Sequence, residues 1–473
     1  MDEHGTRSKA LGAVVGSAVG DALGAPFEFG EPGEYGARFP SPVRGGIGEM
    51  IGGRGWRPGE FTDDTQMAIA QAESLLSHGG VQGSDLFDRF GAWAATAADV
   101  GIQTAAVLRS GLAWDRAAAE HYRHNPTHAA GNGTLMRSTP SAVFFGMRSL
   151  DETMAAARRL SDVTHGDPAA GWGTAVYHGM IHAELHGTSW RDALPGLLDW
   201  LPDDQGRYRE MLSATWEPDH GCPSNGSVWG CLAQAVWAVR TTTTFDAAVV
   251  RAIDLGGDTD TVAAVAGGLA GAVYGIQQIP SRWTTYLHGS VGTTTGTRRY
   301  RLADLQRLAL ALIDVRATDE QAPGPPSGPV EIADGVHVAN FAGATAAPTD
   351  WAVISLCRVG DRFAGHPVRR ELYLIDTSSG HNHALDTAVR DAVDTIDAFR
   401  AEGRQVVVHC HAGASRTGLV IRAWLMLHRG LGAAEATRMV QDRWPLLDPV
   451  SNGSFVDCID RWAPTYFTGA SGS

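Results

Sequence analysis

The stretch Leu255-Gly-Gly-Asp-Thr-Asp-Thr-Val-Ala-Ala-Val-Ala-Gly-Gly-Leu-Ala-Gly-Ala-Val-Tyr274 opens on two aspartates and two threonines and continues as an apolar run of small residues. From Thr261 onward its periodicity predicts a helix. Gly267, Gly271 and Gly275 fall four apart and mark one face of it. A matching face occurs near the N-terminus, where Gly12, Gly16, Gly20 and Gly24 are also four apart. Residues at that spacing lie above one another on a helix. The two stripes therefore predict two central helices packed backbone to backbone in an all-α domain. Further helical periodicity covers Thr65–Leu76 and Val228–Val239.

The acidic start of the quoted stretch also has a counterpart, Pro58-Gly-Glu-Phe-Thr62-Asp63-Asp64-Thr-Gln-Met67, again at the head of an apolar helix. One Thr or Asp suffices to cap a helix. Each cluster offers several, and carboxylates beside apolar neighbours repel one another unless a cation neutralises them. Carboxylates and Thr hydroxyls without nearby His or Cys select Mg²⁺, Mn²⁺ or Ca²⁺ over zinc.

The chain has 473 residues, 44% hydrophobic and 19% charged, enough for two or three domains with sizeable cores. Its formal net charge of −14 argues against bulk nucleic-acid binding. Lys9 is the only lysine, as a GC-rich bacterial genome would favour. Five scattered cysteines (222, 231, 357, 410 and 458) suggest neither a disulfide framework nor a zinc motif, and point to a reducing, cytoplasmic setting. Leu11–Val19 is too glycine-rich, and too soon interrupted by Asp21, for an export signal. No apolar run approaches the roughly 20 residues of a spanning helix, so no membrane association is expected.

Composition breaks at Ala317–Pro329, a Pro- and Gly-rich linker. Before it lies the helical domain, residues 8–316. After it, residues 330–467, β-branched runs (Val336–Val338, Ala352–Leu356, Glu371–Ile375, Gln405–His409) alternate with helical stretches (Ala384–Ala401, Thr417–Leu427, Ala433–Asp442). That alternation predicts a small α/β domain.

Five motifs in the first domain, Gly20–Glu28, Phe61–Met67, Gly131–Arg137, Thr164–Asp167 and Gly256–Thr261, resemble the ADP-ribosylglycohydrolase family, which includes the dinitrogenase-reductase-activating glycohydrolases. The resemblance implies an all-α fold with a centre of two Mg²⁺ (or Mn²⁺) held by Thr62, Asp63, Asp64, Asp258, Asp260 and Thr261. It implies hydrolysis of the ribosyl glycosidic bond in an ADP-ribosylated protein or a small ADP-ribose conjugate. Such cleavage needs a carboxylate to handle protons. Glu28 and Asp99 both stand where family members keep one, and the sequence leaves the choice open. Asn132 and Gly133, in the Gly131–Arg137 loop, are expected to hold phosphate or ribose through backbone N–H groups, with His165 near the ligand. Ser224–Ser227 would line the adenosine side.

In the second domain, Val406-Val-Val-His-Cys410-His-Ala-Gly-Ala-Ser-Arg416-Thr-Gly418 reads as strand, tight loop and helix. The loop aims N–H groups inward at a helix start, which favours an anion and lowers a thiol's pKa. Arg416 is suited to a bidentate grip on a phosphoryl group. These residues resemble the signature of cysteine-dependent phosphatases of dual-specificity size. The resemblance implies attack by Cys410 on phosphorus through a phosphocysteine. Asp376, 34 positions before Cys410, would be the acid, with Asp361 also in the region. Ser415 would stabilise the leaving thiolate, His409 would orient the loop, and Gly413 would permit its turn. The substrate would be a phosphorylated protein or a small phosphomonoester, and the lack of lysine at 411, 412 and 414 disfavours inositol lipids. An alternative keeps the phosphatase and makes the first domain a non-cleaving ADP-ribose reader.

Overall fold

The computed structural model describes residues 3–219, 224–315, 325–377 and 382–465. Cys222, most of the linker (317–324) and the middle of the loop after Asp376 (378–381) lie outside the described residues. Contacts group the chain into two units. The first comprises Met1–Ser41, Glu49–Ile279 and Tyr286–Ala317, and the second Pro42–Gly48, Pro280–Thr285 and Thr318–Ser473. The second unit thus includes two short segments that fall, by sequence, inside the range expected for the first domain.

The first unit is built on the Glu3–Gly24 and Thr259–Tyr274 helices. A Cβ placed on Gly12 would stand 2.3 Å from the carbonyl oxygen of Gly271, one on Gly16 2.4 Å from that of Gly267, and one on Gly20 1.9 Å from that of Ala263. The stripes are therefore used as expected, to let two backbones touch. Their register serves the site: a Cβ on Gly24 would meet the Cα of Asp260 at 2.6 Å. Thr259 Oγ1 donates to the Gly24 carbonyl at 2.9 Å and closes that end. Gly20→Val would drive a branched side chain into the Ala263 backbone, and neither helix can retreat without opening the core. The expected cost is at least about 3 kcal/mol, the upper range of overpacking. A melting temperature unchanged from wild type would contradict this packing.

By length and composition the first helix, with its 3₁₀ extension (His4–Phe27), is apolar enough to cross a membrane, which the sequence reading did not anticipate. In the structure 94% of its apolar window is buried inside the unit.

The Asp63–His78, Pro168–Leu185 and Val228–Arg240 helices pack against the Thr259–Tyr274 helix. A small antiparallel hairpin, β1 (His288–Thr293) and β2 (Gly296–Arg301), was not foreseen. It anchors the chain just before Thr62: Phe61 N–H donates to the His288 carbonyl at 2.9 Å, and His288 N–H to that of Gly59 at 2.9 Å.

The second unit carries a five-stranded sheet of β3 (Val330–Ala333), β4 (Val336–Asn340), β5 (Ala352–Ser355), β6 (Arg369–Glu371) and β7 (Val406–Cys410). Their order is β3-β4-β7-β5-β6, antiparallel only between β3 and β4. Alternate residues of the inner strands enter two buried clusters: Val338, Ile354 and Val408 in one, Ala339, Val353 and Val407 in the other. Both faces are thus covered, as parallel sheets require. The sequence placed a strand at Glu371–Ile375, but β6 ends at Glu371. Its partner β5 stops at Ser355, so the following residues leave the sheet and carry Asp376 away from it.

Candidate active sites

In the first unit both acidic helix starts reach one place. Thr261 Oγ1 donates to Asp64 Oδ1 at 3.5 Å across 197 residues of sequence. One carboxylate oxygen each from Glu28, Asp258 and Asp260 lie within 4.8 Å of one another. Asp64 and Asp260 are buried, and Asp64 Oδ2 has no hydrogen-bond partner among the described residues. Burial first, and then the neighbouring carboxylates, hold the carboxyls of Asp63, Asp64 and Asp260 well above the usual range. Such crowding costs free energy that a divalent ion would offset. The orphaned oxygen and the all-oxygen donor set fit a hard cation.

The capping reading is half right. Thr62 Oγ1 accepts from the N–H of Asp64 at 3.4 Å, whereas Asp258, which precedes the second helix, makes no side-chain cap. Capping of the Asp63–His78 helix comes mainly from a residue the sequence reading did not assign to the site. Asp21, fully buried on the Glu3–Gly24 helix, accepts from the N–H groups of Thr62 at 2.9 Å and Thr65 at 3.1 Å. Burial pushes its carboxyl up to about 6.

The loop before Asp258 turns through left-handed Gly256 and Gly257 (φ 74° and 72°). Its turn is held by Asn225, whose side chain donates to the Gly256 carbonyl at 2.9 Å and accepts from the Asp258 N–H at 3.0 Å. Asn132 Nδ2 donates to Asp258 Oδ2 at 2.8 Å. The backbone N–H of Asn132 is taken by the Gly226 carbonyl at 3.2 Å, so this residue orients an acid rather than offering its N–H to phosphate. A Cβ on Gly133 would meet His165 Cε1 at 3.0 Å, so that glycine makes room for the ring. His165 is buried, its Nδ1 paired with Thr164 Oγ1 at 2.9 Å. Burial, then the charges of Arg137 and His121, push its pKa well down, so the ring is neutral. Asp99 is exposed, and its charge acts on both Asp63 and Glu28. Glu28 is half-buried, and desolvation followed by Asp258 and Asp99 raises its carboxyl to about 7.

In the second unit β7 delivers the buried Cys410 to a loop that closes into the Ser415–Arg429 helix. Gly413 has φ 71°, and a Cβ there would meet Trp444 at 2.8 Å and the Ala339 carbonyl oxygen at 2.9 Å. Trp444 Nε1 donates to the Gly413 carbonyl at 2.7 Å and fixes the turn. His409 Nε2 pairs with Ser355 Oγ at 2.7 Å. Burial pushes this histidine down to about 3, so it holds the loop as a neutral ring. Arg416 is buried, with Nη1 donating to the Leu374 carbonyl at 3.3 Å.

Asp376 meets the loop. Its Oδ2 accepts from Ser415 Oγ and lies 3.5 Å from Arg416 Nε. Its Oδ1 accepts from Asn452 Nδ2 at 3.2 Å. Asn382 closes the base of the acid's loop, accepting from the Ile375 N–H at 2.9 Å and donating to the Ile375 carbonyl at 2.8 Å. Neither role is legible locally: Asn452 lies 76 residues from Asp376, and Asn382, seven residues from Ile375, sits in a polar loop where an Asn satisfies local rules by itself. Cys231, Cys357, Cys410 and Cys458 are all buried, and none of them forms a disulfide among the described residues.

Known proteins resemble both units. A family model described as ADP-ribosylglycohydrolase matches residues 2–322, and one described as dual specificity phosphatase, catalytic domain, matches 358–459. The chain is 30% identical over 300 residues to ADP-ribosyl-[dinitrogen reductase] glycohydrolase of Rhodospirillum rubrum, covering 61% of this chain and 92% of that one. It is 30% identical over 298 residues to the ADP-ribosylarginine hydrolase Tri1 of Serratia proteamaculans, covering 60% of this chain and 76% of the relative. A solved ADP-ribosylglycohydrolase-related protein complex matches at TM-score 0.51 and 31% identity, covering 66% of this chain and 99% of that one. Residues 358–459 begin just past β5, so the first three strands of the sheet precede the matched part of the phosphatase domain.

Proposed function

The chain belongs to the ADP-ribosylglycohydrolase family, and we propose that its first unit is a Mg²⁺-dependent hydrolase of the ribosyl bond in ADP-ribosylated substrates. The observation that carries this reading is the meeting of Asp64, Asp258, Asp260 and Thr261 from two distant helix starts. Thr62, Asp63, Asp64, Asp258, Asp260 and Thr261 would hold two divalent ions. When bound, such ions orient ribose hydroxyls and stabilise charge that develops as the glycosidic bond breaks. Asn132 and Asn225 keep the Asp258 loop in register, and Asp21 does so for the Thr62–Asp64 turn.

On this reading the two acids left open by sequence take different roles. Glu28 shares ligand distance with Asp258 and Asp260, which draws it into the cation set. Asp99 is exposed and its charge acts on Glu28 and Asp63, and it is the carboxylate we assign to proton transfer with water or the leaving group. Glu28→Gln is then expected to weaken Mg²⁺ binding on the order of tenfold. Asp99→Asn should keep Mg²⁺ affinity and lower kcat by about a hundredfold or more. Calorimetric Mg²⁺ titration beside steady-state kinetics reads both; the reverse pattern would exchange their roles.

The second unit, on this reading, is a phosphatase in which Cys410 forms a phosphocysteine, Arg416 grips the phosphoryl oxygens and Asp376 protonates the leaving oxygen. Purified protein should release free ADP-ribose with Mg²⁺, lose that activity in chelator, and release phosphate from a simple aryl ester regardless. Arginine-linked ADP-ribose, named for the Serratia relative, is the first conjugate to try. Tight ADP-ribose binding without release would instead identify the first unit as a reader.

A further inference from the structure

We propose that the phosphatase unit holds, beside its phosphate loop, a subsite for a second anionic group of the substrate, built on Arg362, so that its preferred small substrates are phosphomonoesters bearing a further phosphate or pyrophosphate. This deepens the phosphatase reading above and rests on it.

The loop from which Arg362 projects starts at the wall of the cradle. Leu356, directly after β5, donates its N–H to the His409 carbonyl at 2.9 Å, and its own carbonyl accepts from Arg416 Nη1 at 3.5 Å. Seven residues on, Phe363 packs its ring 4.8 Å from that of His409. Between them Arg362 lays its guanidinium over the Phe341 ring, 5.6 Å from the centroid. Phe341 is tied to the loop twice: its N–H donates to the His411 carbonyl at 3.0 Å, and its ring stacks on the His411 ring at 5.5 Å with 6° between planes. Arg362, Phe341 and His411 thus form a ladder of flat groups that ends in the phosphate loop itself.

Arg362 is exposed and has no carboxylate partner among the described residues. An arginine stacked on an aromatic face is preorganised, and its planar fork suits phosphate oxygens. Positions 411, 412 and 414 of the phosphate loop carry no lysine or arginine, and Arg416 is committed to the transferred phosphoryl group. A second anion on the substrate would find its counter-charge at Arg362. Asp361 adjoins it in sequence and would repel an anion in the wrong orientation, which narrows the approach.

The test uses the full chain carrying Cys410→Ser, which cannot turn over, in chelator. Calorimetry compares inorganic pyrophosphate with inorganic phosphate. Pyrophosphate is expected to bind about tenfold more tightly, and Arg362→Ala should bring that ratio close to one, with Arg362→Lys intermediate. Equal binding of the two anions, or a ratio that survives Arg362→Ala in a variant with unchanged melting, would overturn the subsite. In the parent chain, failure to release phosphate from para-nitrophenyl phosphate would sink the phosphatase reading alone, because the anion preference is read without turnover.

Discussion

Asp260→Asn is expected to lower ADP-ribose release at least a thousandfold, on the order of 4 kcal/mol of lost transition-state stabilisation. It should also make the chelated protein more stable than wild type. Without an ion the Asp260 carboxyl is held high by burial first, and then by the charges of Asp64, Asp258, Glu28 and Asp21. Removing its charge relieves every one of those repulsions, while the amide keeps the shape. In saturating Mg²⁺ the order should reverse. Wild type gains about 2.7 kcal/mol at a hundred times Kd, and the variant gains little. Thermal melts in chelator and in Mg²⁺ read this crossing directly; coincident wild-type melts under both conditions would remove the ground for a metal centre.

The same crowding fixes a pH dependence. Asp21 is raised from 3.8 to about 6 and Glu28 from 4.5 to about 7. A carboxyl raised in the folded state binds protons more readily there than in the unfolded chain, so folding is favoured at low pH. Stability of the chelated protein should therefore fall as pH rises from about 4 through 7, with Asp63, Asp64 and Asp260 acting in the same direction. Mg²⁺ should flatten that slope.

What the sequence disclosed follows the range over which each interaction acts. The Gly12–Gly24 and Gly267–Gly275 stripes were readable because helical spacing alone puts such residues on one face, and the contact they make is backbone on backbone. The two acidic turns were readable because each holds more acceptors than a cap can use. Asp21 carried a usable signal that went unused: it is the one acid in the otherwise small and apolar run from Ala10 to Gly24, one residue after a stripe glycine. The Ser224–Ser227 stretch suggests an adenosine-side loop but nothing in it points to the partner of Asn225, 33 residues away, and the partner of Asn452 lies 76 residues away. The β1–β2 hairpin was hidden because β2, Gly-Thr-Arg-Arg-Tyr-Arg, exposes its first four residues and lacks the alternation that marks a half-buried strand. The strand expected at Glu371–Ile375 slipped for a tertiary reason: β5 ends too early to pair with it, and that early end frees Asp376 to reach the phosphate loop.

Cys410→Ser should reduce phosphate release by at least about a thousandfold while phosphate analogues still bind, because the serine hydroxyl cannot replace the thiolate as nucleophile. Asp376→Asn is the more telling companion. It removes the proton donor, so alkyl phosphates, whose leaving oxygen needs protonation, should lose about a hundredfold or more, and para-nitrophenyl phosphate much less. The resting geometry adds a second effect of opposite sign. Asp376 Oδ2 lies 3.5 Å from Arg416 Nε and accepts from Ser415 Oγ, so its negative charge faces the groups assigned to grip the phosphoryl oxygens. An incoming phosphate must overcome that charge. Asn keeps the shape without it, so inorganic phosphate should inhibit Asp376→Asn several-fold more strongly than wild type. Weaker inhibition would mean that the carboxylate does not oppose the anion at Arg416. Uniform loss across good and poor leaving groups would take the acid's role from Asp376 and return it to Asp361.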